Sequence, residues 1–286
     1  MVTIRRRRNG LLARCATATM AIMRSTWKAL AEETVSILER GSYTVGARQV
    51  DIHQQVSAAV AGTVLHRPED HLSQPTASSI TPNIQVTNET TLAAARRLGA
   101  GVACLNFASA RNPGGGFLNG SQAQEESLAR SSALYACLRP VEGFYGYHRE
   151  HKDLTYSDRI IYSPEVPVVR DDSGALLAEP YPVSFLTAAA PNRAAIIKNQ
   201  PGFLPGLEKV FRQRALRVLA VAAAHGHRRF VLGAWGCGVF GNEPSLVARI
   251  FAAGLGEAPW FDEVVFAVLD RQPGTPTYAA FVDVLG

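Results

Sequence analysis

The sequence predicts an α/β fold in which helices cover a mostly parallel central sheet. Strand-like and helix-like segments alternate over the last two-thirds of the 286 residues, which is the pattern of a layered α/β protein. Segment Val102–Phe107 is apolar at five of its six positions, as expected for a parallel strand that is buried on both faces. No apolar run reaches the length of roughly 18 residues that a membrane span requires, so we expect no transmembrane helix.

Strands are predicted where short runs rich in β-branched and aromatic residues are bounded by turn-forming residues. Segment Asp171–Gly174, for example, carries four turn-forming residues between two such runs. The predicted strands are Thr63–Leu65, Ile84–Thr87, Val102–Phe107, Arg159–Tyr162, Val166–Arg170, Val183–Thr187, Phe230–Gly233 and Val264–Leu269.

Helices are predicted where apolar residues recur every three or four positions and where capping residues flank the pattern. The first helix is predicted to begin with Ser25 or Thr26 as its cap, to extend to about Arg40 and to end at Gly41. The other predicted helices are Thr90–Leu98, Ser127–Leu138, Leu207–Ala224, Pro244–Ala253 and Tyr278–Leu285.

The basic charge of the chain is concentrated in its first 24 residues. The whole chain has 29 lysines and arginines against 24 acids, a formal net charge of +5. Residues 25–286 carry all 24 acids against 23 bases and are nearly neutral. We expect residues 1–24 to be a disordered arm or a stretch upstream of the true start of translation, although consecutive arginines can also bind nucleic-acid phosphates. The arginines of this arm are Arg5, Arg6, Arg7, Arg8, Arg14 and Arg24.

The cysteines and histidines form no metal-binding pattern in the sequence. The cysteines are widely separated, which predicts reduced and mostly buried thiols in a cytoplasmic protein. His148 and His151 are three positions apart, but no acid or cysteine completes a ligand set, so we predict two surface histidines. No metal and no cofactor are expected. The four cysteines are Cys15, Cys104, Cys137 and Cys237.

The first glycine-rich segment directly follows the predicted strand Val102–Phe107. Residues 106–135 read NFASARNPGGGFLNGSQAQEESLARSSALY. The three glycines at 114–116 lack Cβ atoms, which lets backbone N–H groups approach a ligand closely. The Gln-Glu-Glu triplet at 124–126 lies at the N-terminal side of a predicted helix, where the helix dipole favours carboxylates. Taken separately, each feature is also typical of a surface turn or of an acidic first helical turn.

The second glycine-rich segment follows the predicted strand Phe230–Gly233. Residues 232–244 read LGAWGCGVFGNEP, and glycine loops that lead into a helix N-terminus bind phosphate through unpaired N–H groups. The segment lacks the lysine of a Walker loop and an acid some 20 residues later, so neither a nucleotide-hydrolysing loop nor a Rossmann fingerprint fits. Phe240 is either a ligand contact or a phenylalanine buried beneath a turn.

Together, the GGG triplet, seven intervening residues and the QEE triplet resemble the signature of the poly(ADP-ribose) glycohydrolases. More narrowly, NFASARNPGGGF and AQEESLARSSALY resemble the bacterial-type members of that family, and a looser similarity extends from Trp27 to the C-terminus. The second segment resembles the diphosphate-binding loop of macrodomains. The resemblance implies a three-layer α/β/α macrodomain-like fold, with a mixed, mostly parallel central sheet and an N-terminal helical extension, in one catalytic domain over residues 25–286.

The resemblance also implies how the two glutamates divide the chemistry of cleaving a ribose–ribose bond. Glu126 would protonate the departing 2′-oxygen as general acid and then activate water as base, while Glu125 would hydrogen-bond ribose hydroxyls. A neighbouring carboxylate and desolvation would both raise the pKa of Glu126. The expected ligand contacts are Asn106 and Asn112 at the ribose, Gln124 beside the glutamates, Phe240 on the distal ribose, and Gly114, Gly115, Gly116, Gly236, Gly238, Val239 and Gly241 around the diphosphate.

The resemblance predicts an enzyme that binds poly(ADP-ribose), its product ADP-ribose, and ADP-ribosylated proteins. It places the enzyme in the cytoplasm and in the DNA damage response, and no membrane partner is expected. Two other functions share the fold: an ADP-ribose reader without activity, and a hydrolase that removes single ADP-ribose groups from proteins. The glutamate pair argues against a reader, because binding an anion needs no carboxylates. Nucleic acid is expected as a partner only if the arginine arm binds it.

Overall fold

A computed structural model describes residues 22–73, 81–257 and 259–286 of the chain. Most of the predicted arginine arm, residues 1–21, lies outside these described residues. Within them, no helix combines the length and the hydropathy needed to cross a membrane.

The N-terminal extension consists of two helices joined by a hairpin. Helix α1 covers residues 22–40 and leads into strands β1 (Ser42–Val45) and β2 (Arg48–Asp51), which pair antiparallel. Helix α2 (His53–Ala61) follows.

The predicted cap of α1 is wrong, because the helix already includes residues 22–24. The hydroxyl groups of Ser25 and Thr26 both donate to the carbonyl oxygen of Ile22, at 2.7 and 3.1 Å, instead of accepting from free N–H groups of a first turn. Gly41 ends α1 as predicted, with a φ of 72° that a side chain rarely adopts.

Seven further strands form one mixed sheet. Their order is β3-β6-β7-β5-β8-β9-β4, in which β7, β5, β8, β9 and β4 run parallel while β6 and β3 join antiparallel at one edge. This topology confirms the predicted mixed, mostly parallel sheet. The strands are β3 (Val64–His66), β4 (Asn83–Thr87), β5 (Val102–Phe107), β6 (Ile160–Arg170), β7 (Leu176–Ala188), β8 (Arg229–Leu232) and β9 (Glu263–Ala267).

Helices cover both faces of the sheet and give the three predicted layers. Val102 and Cys104 of β5 pack on one face with α2, α3, α5 and α6, whereas Ala103 and Leu105 pack on the other with α8, α9 and α10. This strict alternation is what a strand that is buried on both faces requires. The helices after α2 are α3 (Thr91–Leu98), α4 (Gln124–Ser131), α5 (Leu134–Leu138), α6 (Glu142–Glu150), α7 (Arg193–Asn199), α8 (Leu207–Ala224), α9 (Pro244–Glu257) and α10 (Pro276–Leu285).

The predicted helix Ser127–Leu138 is wrong as a single element. Its first part belongs to α4 and its last part to α5, with Ser132 extended between them. Ser132 forms an isolated β-bridge with Val168 of β6, and its hydroxyl oxygen accepts a hydrogen bond from the N–H of Leu134 at 3.2 Å. Pairing with the sheet edge therefore overrides the helical pattern at this position.

The prediction that His148 is a surface histidine is also wrong, whereas His151 is exposed as predicted. His148 is 1% exposed because it lies on the face of α6 that packs on the core. Its Nε2 atom lies 3.2 Å from the backbone nitrogen of Ser157 and 2.8 Å from the hydroxyl oxygen of the same residue.

Arg214 of α8 fixes the loop that precedes β6. Its guanidinium group is 1% exposed and donates to Asp158 Oδ1 at 2.8 Å, and to the carbonyl oxygens of Thr155, Tyr156 and Ala189 at 2.6, 3.1 and 2.9 Å. A buried arginine is tolerated when its donors are satisfied in this way. Arg214 thereby ties residues 155–158 to the end of β7, close to the carboxyl edge of the sheet where ligands bind in such folds.

Arg214→Met should lower the free energy of unfolding by about 3–5 kcal/mol, because it removes the donor to Asp158 Oδ1 and to three carbonyl oxygens in a buried site. Arg212→Met is the matched control on the same helix. Arg212 pairs with Glu257 in solvent, so its loss should cost about 0–1 kcal/mol. Urea unfolding measures both variants, and equal losses would contradict the role assigned to Arg214.

Candidate active site

A cavity of about 760 Å³ opens at the carboxyl edge of the sheet. Its walls are the residues that follow β4, β5, β8 and β9, together with α1, the start of α4 and the turn between β6 and β7. Gln124 and Ser127 of α4 line it directly. Glu125 and Glu126, which lie between them in the sequence, face the glycine turn at 114–116 instead.

Gln124 joins α4 to the end of β5. Its side-chain oxygen accepts from the N–H of Phe107 at 2.9 Å, and its amide nitrogen donates to the carbonyl oxygen of Leu105 at 2.8 Å and to Thr91 Oγ1 at 3.1 Å. The side chain thus makes the two backbone hydrogen bonds that a further strand would make at this point of β5. Both amide hydrogens are committed to protein acceptors, although Gln124 also borders the cavity.

Glu125 is held beneath the loop that follows β5. One carboxylate oxygen accepts from the N–H of Ser109 at 2.6 Å and the other from Asn106 Nδ2 at 3.3 Å. Asn106 is fully buried, and its Nδ2 also donates to Thr187 Oγ1 at 3.1 Å. The structure therefore brings Asn106 against Glu125, not into the wall of the cavity.

Glu126 lies one position further along α4 and is partly exposed. Its Oε1 atom accepts from the N–H of Gly116 at 3.0 Å. Its Oε2 atom makes no hydrogen bond within the described part of the chain. One oxygen of this carboxylate is thus fixed by the glycine turn, and the other is left for a ligand.

Gly115 is the position at which the two carboxylates meet the backbone. Its φ is 60°, and a Cβ atom there would lie 2.4 Å from Glu126 Oε1 and 3.1 Å from Glu125 Oε2. Both the backbone conformation and the missing space exclude a side chain. The turn is closed by a hydrogen bond from the N–H of Gly115 to the carbonyl oxygen of Asn112 at 3.0 Å, and Asn112 is exposed.

The loop after β8 offers unpaired N–H groups to the cavity. Within the described residues, the N–H groups of Gly236, Gly238, Val239 and Phe240 make no hydrogen bond, whereas Gly241 donates to the carbonyl oxygen of Gly238 at 2.9 Å. All five residues except Gly241 line the cavity. Such a concave run of free amides is suited to the oxygens of a diphosphate.

The loop is braced from behind, which fixes the direction of these amides. Asn242 Nδ2 donates to the carbonyl oxygens of Pro191 and Gly236, at 2.9 and 3.1 Å. Ala194 donates its N–H to the carbonyl oxygen of Phe240 at 2.9 Å. Phe240 is neither exposed nor fully buried: it packs on the core and lines the cavity.

A second wall of the cavity comes from residues that the sequence reasoning missed. Trp27 of α1 lies 4.8 Å from the guanidinium group of Arg130, which is 3% exposed and donates to the carbonyl oxygen of Ser121 at 2.6 Å. Arg170, 2% exposed, donates to Thr34 Oγ1 and to Glu33. Arg130 lies four positions after Glu126 on one helix face, a spacing that could have drawn attention to it. The long-range contacts of Trp27 and Arg170 have no comparable signal.

The two glutamates differ in how deeply they are buried. Burial raises the pKa of Glu125 to about 8, against the lowering effect of the hydrogen bonds from Ser109 and Asn106, and the charge of Glu126 raises it further. Glu125, which is 3% exposed, is therefore largely neutral at pH 7 and can donate as well as accept a hydrogen bond. Of the two side chains, that of Glu125 is the more buried. Within the described residues, no group of three His, Cys, Asp or Glu side chains could hold a metal ion.

Glu125→Gln should flatten the pH dependence of stability. An unfolded glutamate loses its proton near pH 4.5, whereas the folded Glu125 keeps it until about pH 8. The folded wild type therefore binds more protons in this window, and its free energy of unfolding falls as the pH rises. We expect the free energy of unfolding of the wild type minus that of the variant to fall as the pH rises from 5 to 8, by about 1.4 kcal/mol per pH unit at most. Urea unfolding at each pH measures both free energies.

The control is Glu150→Gln on the exposed end of α6, for which we expect no such slope. A wild-type-minus-Glu125→Gln difference that is constant or rises over this pH range would contradict a neutral Glu125.

Comparison with known proteins identifies relatives of this fold and site. The family model of the microbial-type PARG catalytic domain matches residues 31–171. A search of curated proteins finds no match. The solved structure of poly(ADP-ribose) glycohydrolase from Thermomonospora curvata is 53% identical, covers 91% of this chain and 100% of that one, and superimposes with a TM-score of 0.86.

Two solved complexes are also similar. The Thermomonospora curvata enzyme bound to the inhibitor ADP-HPD is 53% identical, covers 91% of this chain and 99% of that one, and has a TM-score of 0.83. Poly(ADP-ribose) glycohydrolase from Deinococcus radiodurans in complex with ADP-ribose is 46% identical, covers 80% of this chain and 96% of that one, and has a TM-score of 0.75. The resemblance predicted from the two glycine-rich segments is confirmed: the chain belongs to the microbial-type poly(ADP-ribose) glycohydrolase family.

Proposed function

We propose that this protein hydrolyses the ribose–ribose O-glycosidic bonds of poly(ADP-ribose) and releases ADP-ribose. Family membership and the complexes of relatives with ADP-ribose and ADP-HPD support this substrate. The observation that carries the proposal is the Glu126 carboxylate, which has one oxygen fixed by the N–H of Gly116 and the other uncommitted, beside a 760 Å³ cavity.

We assign the proton that is transferred to the leaving group to Glu126 Oε2. The proton passes from Oε2 to the 2′-oxygen of the departing unit while the bond between that oxygen and C1″ of the terminal ribose breaks. A water molecule then attacks C1″ and gives a proton back to Oε2, which restores the acid. The hydrogen bond from Gly116 keeps Oε1 in place through both steps.

Glu125 has a positioning role in this scheme. It cannot reach the same atom as its neighbour, and its carboxyl group is fixed by Ser109 and Asn106. A neutral carboxyl group can donate to a ribose hydroxyl without placing a negative charge next to an anionic substrate. The glycosyl cation that develops at C1″ is stabilised by the substrate diphosphate, which the amides of the loop after β8 hold nearby.

The proposal extends to the organisation of the chain and to the setting of the reaction. Because Trp27 and Leu30 of α1 line the cavity, we propose that residues 25–286 work as one catalytic unit. ADP-ribosylated proteins as carriers of the polymer, a role in the DNA damage response and a cytoplasmic location remain predictions from the family resemblance. Unpaired thiols at Cys104, Cys137 and Cys237 are consistent with that compartment.

Glu126→Gln should lower kcat by roughly 10³-fold or more, because the amide keeps the shape of the side chain but is far too weak an acid to protonate the departing oxygen. Affinity for ADP-ribose should change by less than about threefold, since the cavity and the amide loop are untouched. Release of labelled ADP-ribose from the polymer measures the first quantity and calorimetric titration with ADP-ribose the second. Glu150→Gln is the matched control and should retain full turnover. Turnover by Glu126→Gln within about tenfold of wild type would exclude this residue as the acid.

Val239→Pro should weaken ADP-ribose binding by about tenfold, because proline removes one of the three consecutive unpaired N–H groups in a loop that lines the cavity. Val239 is 88% exposed, so the side chain itself contributes little, and Val239→Ala, which keeps the N–H group, should bind as wild type does. Calorimetry gives both affinities, with melting temperatures as a check on folding. The same loss in both variants would show that the side chain, not the amide, contacts the ligand.

A further inference from the structure

Tyr156 occupies a strained position directly behind Phe240. Its φ is 60°, a left-handed conformation that costs free energy for any residue except glycine. Its ring centroid lies 6.0 Å from that of Phe240, with the planes inclined by 44°, which is within the range of favourable aromatic pairs. A glycine would adopt this backbone without strain, so the tyrosine ring must contribute something that glycine cannot.

Two buried groups hold Tyr156 in this conformation. Arg214 donates to the carbonyl oxygens of Thr155 and Tyr156 on either side of the strained backbone. On the other side, His148 packs edge-on against the ring with centroids 5.7 Å apart, and its Nε2 accepts from the N–H of Ser157. The ring is therefore supported by α6 and by the core on that side of the sheet, and it contacts Phe240 from there.

Phe240 is partly buried against the core and its backbone is braced, and Tyr156 adds an aromatic contact to its ring. Its carbonyl oxygen accepts a hydrogen bond from the N–H of Ala194, while the two preceding residues, Gly238 and Val239, are exposed. An aromatic ring that packs on a ribose must keep one face towards the ligand. A second ring behind it restricts its rotation and reduces the entropy lost on binding.

We propose that Tyr156 is a positioning residue that sets the orientation of Phe240 against the terminal ribose of an ADP-ribose unit. The inference rests on the proposed function and on the family resemblance, which implies that Phe240 packs on that ribose. Tyr156 does not line the cavity, so it acts on the substrate only through Phe240. Its hydroxyl group makes no hydrogen bond within the described residues, so the ring alone carries the effect.

A double-mutant cycle tests this coupling. Tyr156→Gly removes the ring and permits the left-handed backbone, and we expect a five- to tenfold weaker affinity for ADP-ribose together with a higher KM for the polymer. Phe240→Ala should cause a similar loss. In the double variant, the loss should equal that of Phe240→Ala alone, because Tyr156 has nothing left to position. Tyr156→Phe should behave as wild type.

Tyr147→Ala is the matched control. Tyr147 also contacts the ring of His148, with centroids 5.5 Å apart, but does not contact Phe240. It should leave affinity for ADP-ribose unchanged. If Tyr156→Gly fails to fold, Tyr156→Asn replaces it, since asparagine tolerates the same backbone conformation.

The outcomes separate this inference from the proposed function. Losses that multiply in the double variant, or an affinity within twofold of wild type in Tyr156→Gly, overturn the role of Tyr156. A wild type that binds ADP-ribose but releases none from the polymer overturns the proposed function, while the cycle still decides the coupling. A wild type that does not bind ADP-ribose overturns both.

Discussion

The hydrogen bonds of one glutamine determine where the whole site lies. The Gln124 side chain pairs with the Phe107 N–H and the Leu105 carbonyl oxygen at the end of β5, and these bonds fix the start of α4 relative to that strand. The next two residues of α4 then face the glycine turn, one buried and one partly exposed. Only a turn without side chains could approach both carboxylates, which is why Gly115 and the helix start must be considered as one unit. The cavity and the amide loop lie on the neighbouring strands of the same parallel sheet.

The site also depends on groups whose burial costs stability. Glu125 is buried as a neutral acid, Arg214 and Arg170 are buried as hydrogen-bonded cations, and Tyr156 has a strained backbone. Each would be replaced in a chain selected for stability alone. Their common effect is to fix loops that connect strand ends, because loops at the edge of a sheet have few apolar contacts of their own.

The sequence predicts local features better than features that depend on long-range contacts. Strand β5 and helices α3 and α8 have periodicity or caps that are readable over a few residues, and the two glycine-rich segments carried the family resemblance. Helix α4, in contrast, begins three residues before the predicted Ser127 and has no side-chain cap. The break at Ser132 and the burial of His148 depend on contacts with other elements, which periodicity does not contain. The contact between Thr34 and Arg170 joins residues 136 positions apart and has no sequence signal. The sequence also could not show which glutamate would be buried, since both occupy the first turn of the same helix.

The most direct test of the account is a crystal structure of this protein with ADP-ribose bound. We expect the C1″ hydroxyl of the terminal ribose within about 3 Å of Glu126 Oε2, and the diphosphate oxygens on the N–H groups of Gly238, Val239 and Phe240. A ribose whose C1″ hydroxyl contacts neither glutamate, or a diphosphate bound by Arg130 and Arg170 instead of the amide loop, would contradict it.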